Sequence, residues 1–255
     1  ISDTATFIIN EPPALDINLD TIQSKFTTTC YSLCDGEIWT NPVLSPPQSY
    51  NIFWTGPNGF NSTSPNIDNL CGGDYSMFIT TSNDTTQFNF TIHEPDSLVM
   101  TIDTINGIIC HGGNVLVSAY TYGGVQPYSW LWSNNSINIS ASLDSGTHIV
   151  TVTDALGCQL TDSVTLSQPD SVQVIAIDTP PLCHNGNDGK ITAGVVNNTN
   201  PPYHYSLDNF FTQQPNGVFE NLSPGSYTVS VSDGDGCIGT TNITINNPAP
   251  IQIST

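Results

Sequence analysis

The chain has 255 residues, with 22 acidic side chains against 2 basic ones and a formal net charge of −20. That balance excludes nucleic acids and anionic membrane surfaces as partners, because both require Lys and Arg to displace counterions. No apolar run reaches the roughly 18 residues of a membrane-spanning helix, so no membrane insertion is expected.

In chain order, the first recognisable element is Thr6 to Pro12, TFIINEP. It matches Phe90 to Pro95 (FTIHEP), Val164 to Pro169 (VTLSQP) and Ile243 to Pro248 (ITINNP). These prolines recur about every 80 residues, the size of an immunoglobulin-type unit rather than a helical or leucine-rich repeat. Residues 1–12 read as the last strand of a preceding repeat, followed by repeats at 13–95, 96–169 and 170–248. Residues 249–255 read as the start of another, so the chain is expected to be a piece of a longer protein.

Each repeat opens with a strand: Leu15 to Ile22, Leu98 to Ile105 and Val172 to Ile177. A cysteine follows (Cys30, Cys110 or Cys183), then a glycine turn and a second strand carrying Ile38, Val115 and Val117, or Ile191 and Ala193. The third strand alternates Tyr50, Ile52 and Trp54, then Tyr128, Trp130 and Trp132, then Tyr203, Tyr205 and Leu207. Period-2 alternation places each set on one face, as the core of a two-sheet sandwich needs. The same aromatics would form a sugar-stacking platform only if that face were exposed.

The late part of each repeat is the clearest copy: LCGGDYSMFITTSNDT from Leu70, LDSGTHIVTVTDALGC from Leu143 and LSPGSYTVSVSDGDGC from Leu222. Each is a loop, an alternating strand and a turn. Tyr75 and Tyr227, two residues after a glycine, suggest a tyrosine-corner bond to backbone, which His148 is expected to break. No 3.6-residue periodicity is sustained anywhere, so helix is not expected.

Seven cysteines cannot all pair internally. The second and third repeats each hold one Cys after the first strand and one after the late turn. The expected bridges are therefore Cys110–Cys158 and Cys183–Cys237, which implies an oxidising compartment. The first repeat has Thr85 where the late Cys is expected, but adds Cys34 and Cys71. Cys34–Cys71 is expected there with Cys30 unpaired; Cys30–Cys71 is the rival pairing.

Acidic residues gather near repeat boundaries, and Asp96, Asp103, Asp170 and Asp178 are candidate calcium ligands, against the plainer reading of a solvated acidic surface. Asp233-Gly-Asp235-Gly is a fragment of a calcium loop without the distal Glu. His111 and His184 each follow a cysteine, which points to a turn role. Asn-x-Ser/Thr sequons occur at Asn61, Asn83, Asn89, Asn134, Asn138, Asn197, Asn221 and Asn242, and their use is open. No catalytic constellation stands out, so neither catalysis nor a cofactor is expected.

The ordered motifs are Cys with Asp-Gly or Gly-Gly, Pro-Tyr with alternating aromatics, Leu-x-x-Gly-x-Tyr, and Asp-x-x-Gly-Cys with a closing strand. Together they resemble the SprB-type repeat of very large surface adhesins from gliding Bacteroidota. The signature stands as Pro127, Tyr128, Trp132, Gly146, Asp154, Gly157 and Cys158, and again as Pro202, Tyr203, Gly225, Tyr227, Asp233, Gly236 and Cys237. Polycystic-kidney-disease-type domains share much of the pattern. The resemblance implies immunoglobulin-like sandwiches, export to the cell surface by the type IX route, and a role in adhesion or gliding. The Asp-Ser/Thr-apolar sites, such as Asp20 and Asp162, resemble an O-glycosylation signal of the same bacteria.

The sequence therefore reads as an all-β chain of three tandem immunoglobulin-like β-sandwich repeats in an extended rod, a non-catalytic segment of a cell-surface adhesin or filament. Expected partners are neighbouring repeats, surface glycans or other cell-surface chains. A stalk of a secreted hydrolase, or a carbohydrate-binding module using Trp39, Trp54 or Trp132, are the alternatives.

Overall fold

The computed structural model describes residues 14–252 except 46, 48, 83, 198 and 199. The expected strand of a preceding repeat at 1–12, residues 253–255 and the sequon at Asn83 lie outside the described residues. Strands dominate, and one short 3-10 turn, Pro57–Gly59, is the sole helical element among the described residues.

The first unit contains β1 (Ala14–Leu19), β2 (Gly36–Ile38), β3 (Thr40–Ser45), β4 (Asn51–Thr55), β5 (Asn61–Ser62), β6 (Ile67–Leu70), β7 (Gly73–Thr80) and β8 (Thr85–Ile92). The second contains β9 (Val99–Thr104), β10 (Val115–Tyr122), β11 (Ser129–Trp132), β12 (Ser140–Leu143), β13 (Gly146–Thr153) and β14 (Gln159–Leu166). The third contains β15 (Val174–Thr179), β16 (Gly189–Val195), β17 (His204–Ser206), β18 (Val218–Leu222), β19 (Gly225–Ser232) and β20 (Ile238–Ile245).

No sheet mixes strands of two units. In the second unit, β9–β10–β12 forms one antiparallel sheet and β11–β13–β14 the other; β15–β16–β18 and β17–β19–β20 repeat this in the third. The chain changes sheet between the second and third strands and twice more before the last hairpin. This is the strand order of an immunoglobulin sandwich without its fourth strand. In the first unit the corresponding sheet is split at Trp39, so that β2 pairs with β6 and β3 with β1. Trp39 spends its backbone groups elsewhere: its N–H donates to Ser24 Oγ at 2.9 Å and its carbonyl accepts from Asp20 N at 3.0 Å.

Each sandwich closes on its own apolar cluster, and no residue is shared between clusters. Alternation in the late strand supplies much of it: Met77 and Ile79 in β7, Val150 and Val152 in β13, Val229 and Val231 in β19. The strand paired with it in the same sheet contributes Trp54 and Trp132, both fully enclosed. A buried indole needs a partner for its N–H. Trp54 Nε1 donates to Ser64 O and Trp132 Nε1 to Asn138 O, each at 2.9 Å, so the loops after β5 and β11 are pinned to the core. Leu207 stands at this position in the third unit, whose fully buried cluster is smaller.

The tyrosine-corner expectation holds more widely than the sequence suggests. The Tyr75 hydroxyl donates to Cys71 O at 3.0 Å and that of Tyr227 to Ser223 O at 2.7 Å, four residues back in each case. His148 does not break the pattern. Its Nε2 lies 3.1 Å from Asp144 O, again four residues back, while Nδ1 faces Ser133 Oγ at 3.3 Å. An imidazole with its proton on Nε2 makes the same bond as a phenol, because both reach the same carbonyl from the same strand position.

Two outcomes follow from this packing. Trp132→Ala should destabilise the second unit by about 3–5 kcal/mol in chemical denaturation followed by fluorescence, the usual cost of emptying a large aromatic site. Tyr227→Phe, which removes one hydroxyl bond and no packing, should cost only about 1 kcal/mol.

Candidate functional site: the joints between units

Two local structures meet at each joint. The first is the cysteine loop that follows a unit's opening strand. Two residues after the cysteine the backbone enters the left-handed region, at Ser32 (φ 58°), Gly112 (φ 73°) and Asn185 (φ 59°). The N–H of that residue donates to the side-chain carbonyl or carboxylate oxygen of the residue preceding the boundary proline. The pairs are Ser32 with Glu94, Gly112 with Gln168 at 2.7 Å, and Asn185 with Asn247 at 2.8 Å. His111 and His184 add ring Nδ1 contacts to the boundary carbonyls Pro169 O and Pro248 O, at 3.2 and 2.7 Å. The loop is thereby fixed to the exit end of its own sandwich. In the first unit Asp35 also braces it, accepting from Thr29 N at 2.9 Å and pairing with Lys25. Partial burial raises the Asp35 pKa, but the Lys25 and Thr29 bonds outweigh it and hold the carboxyl near 2.

The second structure is the late turn, Asp-x-x-Gly-Cys. Asp154 Oδ1 accepts from Leu156 N and Cys158 N, both at 2.9 Å, and Oδ2 accepts from Val125 N at 3.0 Å. Asp233 Oδ1 likewise accepts from Asp235 N at 3.1 Å and Cys237 N at 2.9 Å. Gly157 (φ 89°) and Gly236 (φ 82°) take the left-handed conformation that closes the turn, which a side chain would strain. Asp233 is therefore a turn anchor whose Oδ1 is held by two backbone N–H groups, which accounts for the calcium-loop-like spelling. Burial pushes the Asp154 pKa up, but its backbone N–H donors outweigh that and keep it below the ordinary 3.8.

These structures lie at opposite ends of one sandwich. Cys158 immediately precedes β14 and Cys237 immediately precedes β20, whereas the Cys110 and Cys183 loops touch the prolines beyond the far ends of those strands. Eight extended residues separate the two ends by about 25 Å. A disulfide requires Cα atoms within about 7 Å. The expected Cys110–Cys158 and Cys183–Cys237 bridges are therefore geometrically excluded.

The first two loops are instead met by the late turn of the following unit. Cys30 is bonded to Cys158 and Cys110 to Cys237, with Cα separations of 5.8 and 5.4 Å. Cys30, expected to be unpaired, is thus a half-cystine, and Cys183, expected to be paired, is free and exposed. Cys34 and Cys71 are joined within the first unit. The first unit's own late turn has no cysteine to offer. Its β7–β8 connection, 81–84, is one residue shorter than 154–158 and 233–237, and the residue directly before the last strand is Asp84, not Thr85.

The residues missed in the sequence are Glu94, Gln168 and Asn247. Their signal was visible: in all three repeats the residue before the boundary proline carries a side-chain oxygen acceptor.

Each joint encloses a cleft. The first, about 300 Å³, lies between Tyr31, Pro95, Asp96, Leu98 and the Asp154 turn. The second, about 530 Å³, is lined by Ile109, Pro169, Asp170, Asn200, Asp233 and Asp235. The four calcium candidates do not converge. Asp96 and Asp170 sit in the linkers, while Asp103 and Asp178 lie towards the far ends of β9 and β15. Among the described residues no group of three or more His, Cys, Asp or Glu side chains could hold a metal ion. Of the stacking candidates, Trp54 and Trp132 are enclosed in the cores, and the half-buried Trp39 donates its indole N–H to Glu37 Oε2 at 3.1 Å.

No family model matches the chain, and no curated protein matches it. Among solved structures it is similar to the N-terminal eight Ig domains of Down Syndrome Cell Adhesion Molecule, at 12% identity and a TM-score of 0.40, with 90% of this chain and 36% of that one covered. Immunoglobulin domains 1–5 of Sidekick-1 align at 11% identity and a TM-score of 0.34, covering 92% and 59%. The three N-terminal domains of the bacteriophage RB49 highly immunogenic outer capsid protein align at 11% and 0.33, covering 93% and 99%. The chain thus spans about a third of the first structure and three fifths of the second. The strand order, rather than these likenesses, identifies the immunoglobulin-like fold.

Non-reducing peptide mapping should yield Cys30–Cys158, Cys110–Cys237 and Cys34–Cys71 peptides; a Cys110–Cys158 peptide would refute the joint geometry. Asp154→Asn should cost roughly 1–3 kcal/mol at neutral pH, because an amide nitrogen replaces Oδ2 and leaves Val125 N–H without its acceptor. The folded carboxyl has the lower pKa, so its contribution is present above about pH 4 and fades as pH falls below that. The gap between native protein and variant should accordingly narrow in urea titrations taken from pH 6 to pH 2.

Proposed function

We propose that this chain is a non-catalytic, load-transmitting segment of a very large cell-surface adhesin of the SprB-repeat type, exported by the type IX route and serving adhesion or surface gliding. The observation that carries the reading is that two of the three disulfides join one unit to the next instead of closing a unit on itself. Stability alone would be served by a bridge within a unit. A bridge across a joint restricts how neighbouring units bend, and joints between domains in one chain are otherwise mobile by default. Disulfides also favour an oxidising, extracytoplasmic setting. The high acidic charge keeps long arrays of such units from associating through exposed strand edges. Successive units would form an extended rod, each adding on the order of 40 Å of reach.

Small-angle scattering tests the mechanical part. The native chain should give a single elongated particle, and the Cys30→Ser/Cys110→Ser variant a broader distance distribution with the same unit cores. Identical profiles would remove the stiffening role. For the adhesin part, beads coated with antibody to this segment should attach to live cells of the source organism and be carried along the surface. Beads that attach but stay still would argue against gliding, and absence of attachment against surface display.

A further inference from the structure

The third cysteine loop is built like the two that carry bridges. Cys183 is followed by Asn185 at φ 59°, by the Asn185 N–H to Asn247 bond, and by the His184 contact to Pro248 O. Gly186 N donates to Cys183 O at 2.9 Å, as Gly113 N does to Cys110 O. This loop shares its left-handed turn and its bond to the residue before the boundary proline with the Cys30 and Cys110 loops, but its sulfur is free and exposed.

A second and independent observation lies in the linker. Leu98, Val172 and Ile251 each stand three residues after a boundary proline. Leu98 packs against the core of the second unit, and Val172 is only 7% exposed. Ile251 is 92% exposed. Leu182, which precedes Cys183 as Ile109 precedes Cys110, is 88% exposed, against 59% for Ile109, which lines the second joint. The end of the third unit therefore presents two exposed apolar side chains beside an unpaired thiol, and at the position of one of them, Ile251, the second and third units cover Leu98 and Val172.

We infer that this end is a docking face for a fourth unit of the same kind, carried beyond Ile251 in the intact protein. Its Asp-x-x-Gly-Cys turn supplies the cysteine that bonds to Cys183. The two thiols lose two protons and two electrons in forming the S–S bond. A disulfide donor of the oxidising compartment, protein-borne or of low molecular weight, accepts them and leaves as two thiols. The partner turn must have the five-residue length of 154–158. The shorter 81–84 connection of a second copy's first unit offers no cysteine, so a head-to-tail dimer of this segment cannot complete the joint. The inference rests on the joint geometry and not on the adhesin reading.

The test uses the full-length protein taken from its source, alkylated at harvest and digested without reduction. The expected product is the Cys183 peptide bonded to a peptide that contains Asp-x-x-Gly-Cys and is neither the Asp154 nor the Asp233 turn. Alkylated Cys183, a Cys183–Cys183 pair, a mixed disulfide with a small thiol, or a bond to Cys158 or Cys237 would each overturn the proposal. In the Cys183→Ser form of the same protein, one new free thiol should appear, in the turn peptide found bonded to Cys183, with the other bridges retained. If no new thiol appears there, the bridge does not exist.

Discussion

The two cysteine sites of a unit are held at opposite ends of a β-sandwich by a strand of eight residues, and every other feature of the joints depends on that separation. An extended strand cannot be shortened without losing its ladder, so the sulfur atoms of a unit's cysteine loop and of its own late turn never meet. The late turn must face outward and the cysteine loop must wait at the other end. Asp154 and Asp233 serve this arrangement by fixing the direction in which Cys158 and Cys237 leave the turn. The boundary Glu94, Gln168 and Asn247 serve it from the other side by locking the loops. The joint is thus built from turn chemistry rather than from a broad apolar interface.

Bridges of this kind act on the unfolded ensemble more strongly than bridges within a unit. Each spans nearly 130 residues, for which the loop-entropy account gives about 5 kcal/mol. The two loops overlap, because Cys110 lies inside the span closed by Cys30 and Cys158, so their effects are not additive. Overlap also couples the units: the second sandwich cannot unfold freely without its termini remaining tied to both neighbours. Small cores such as that around Ile191, Val229 and Val231 gain most from such coupling, since little else holds them.

Much of this was legible in the amino-acid order. The boundary prolines gave the period, and alternation in Tyr227, Val229 and Val231 gave the strand and its buried face. The aromatic strand ending in Trp54 or Trp132 was read correctly as core at Ile52, Trp54 and Trp132, because a sandwich needs it there, but Tyr50, expected on the same face, is exposed. The cysteine partners were not legible by spacing, since a repeat pattern fits pairing within a unit and pairing to the next one equally well. The deciding fact was physical and present in the sequence. Eight alternating residues, 159–166, stand between Cys158 and the proline that the Cys110 loop touches. The displaced pairing also accounts for Cys30, which a scheme confined to single units leaves without a partner. His148 was misjudged for a related reason: residue identity suggested a broken corner, but the carbonyl of Asp144 asks only for an N–H or O–H at that position.

The interleaved bridges change what a pull on the chain ends would encounter. Were every sandwich unfolded with the disulfides intact, tension would run from residue 1 to Cys34, cross to Cys71, continue to Cys110, cross to Cys237 and leave at residue 255. That taut path is about 90 residue spacings, or roughly 320 Å, whereas the reduced chain would pay out to roughly 900 Å. The remaining two thirds of the polypeptide would hang in slack loops bearing no load. The covalent connectivity is therefore that of a tether with a built-in stop, in which a unit torn open by shear lengthens the molecule little and stays beside its neighbours to refold.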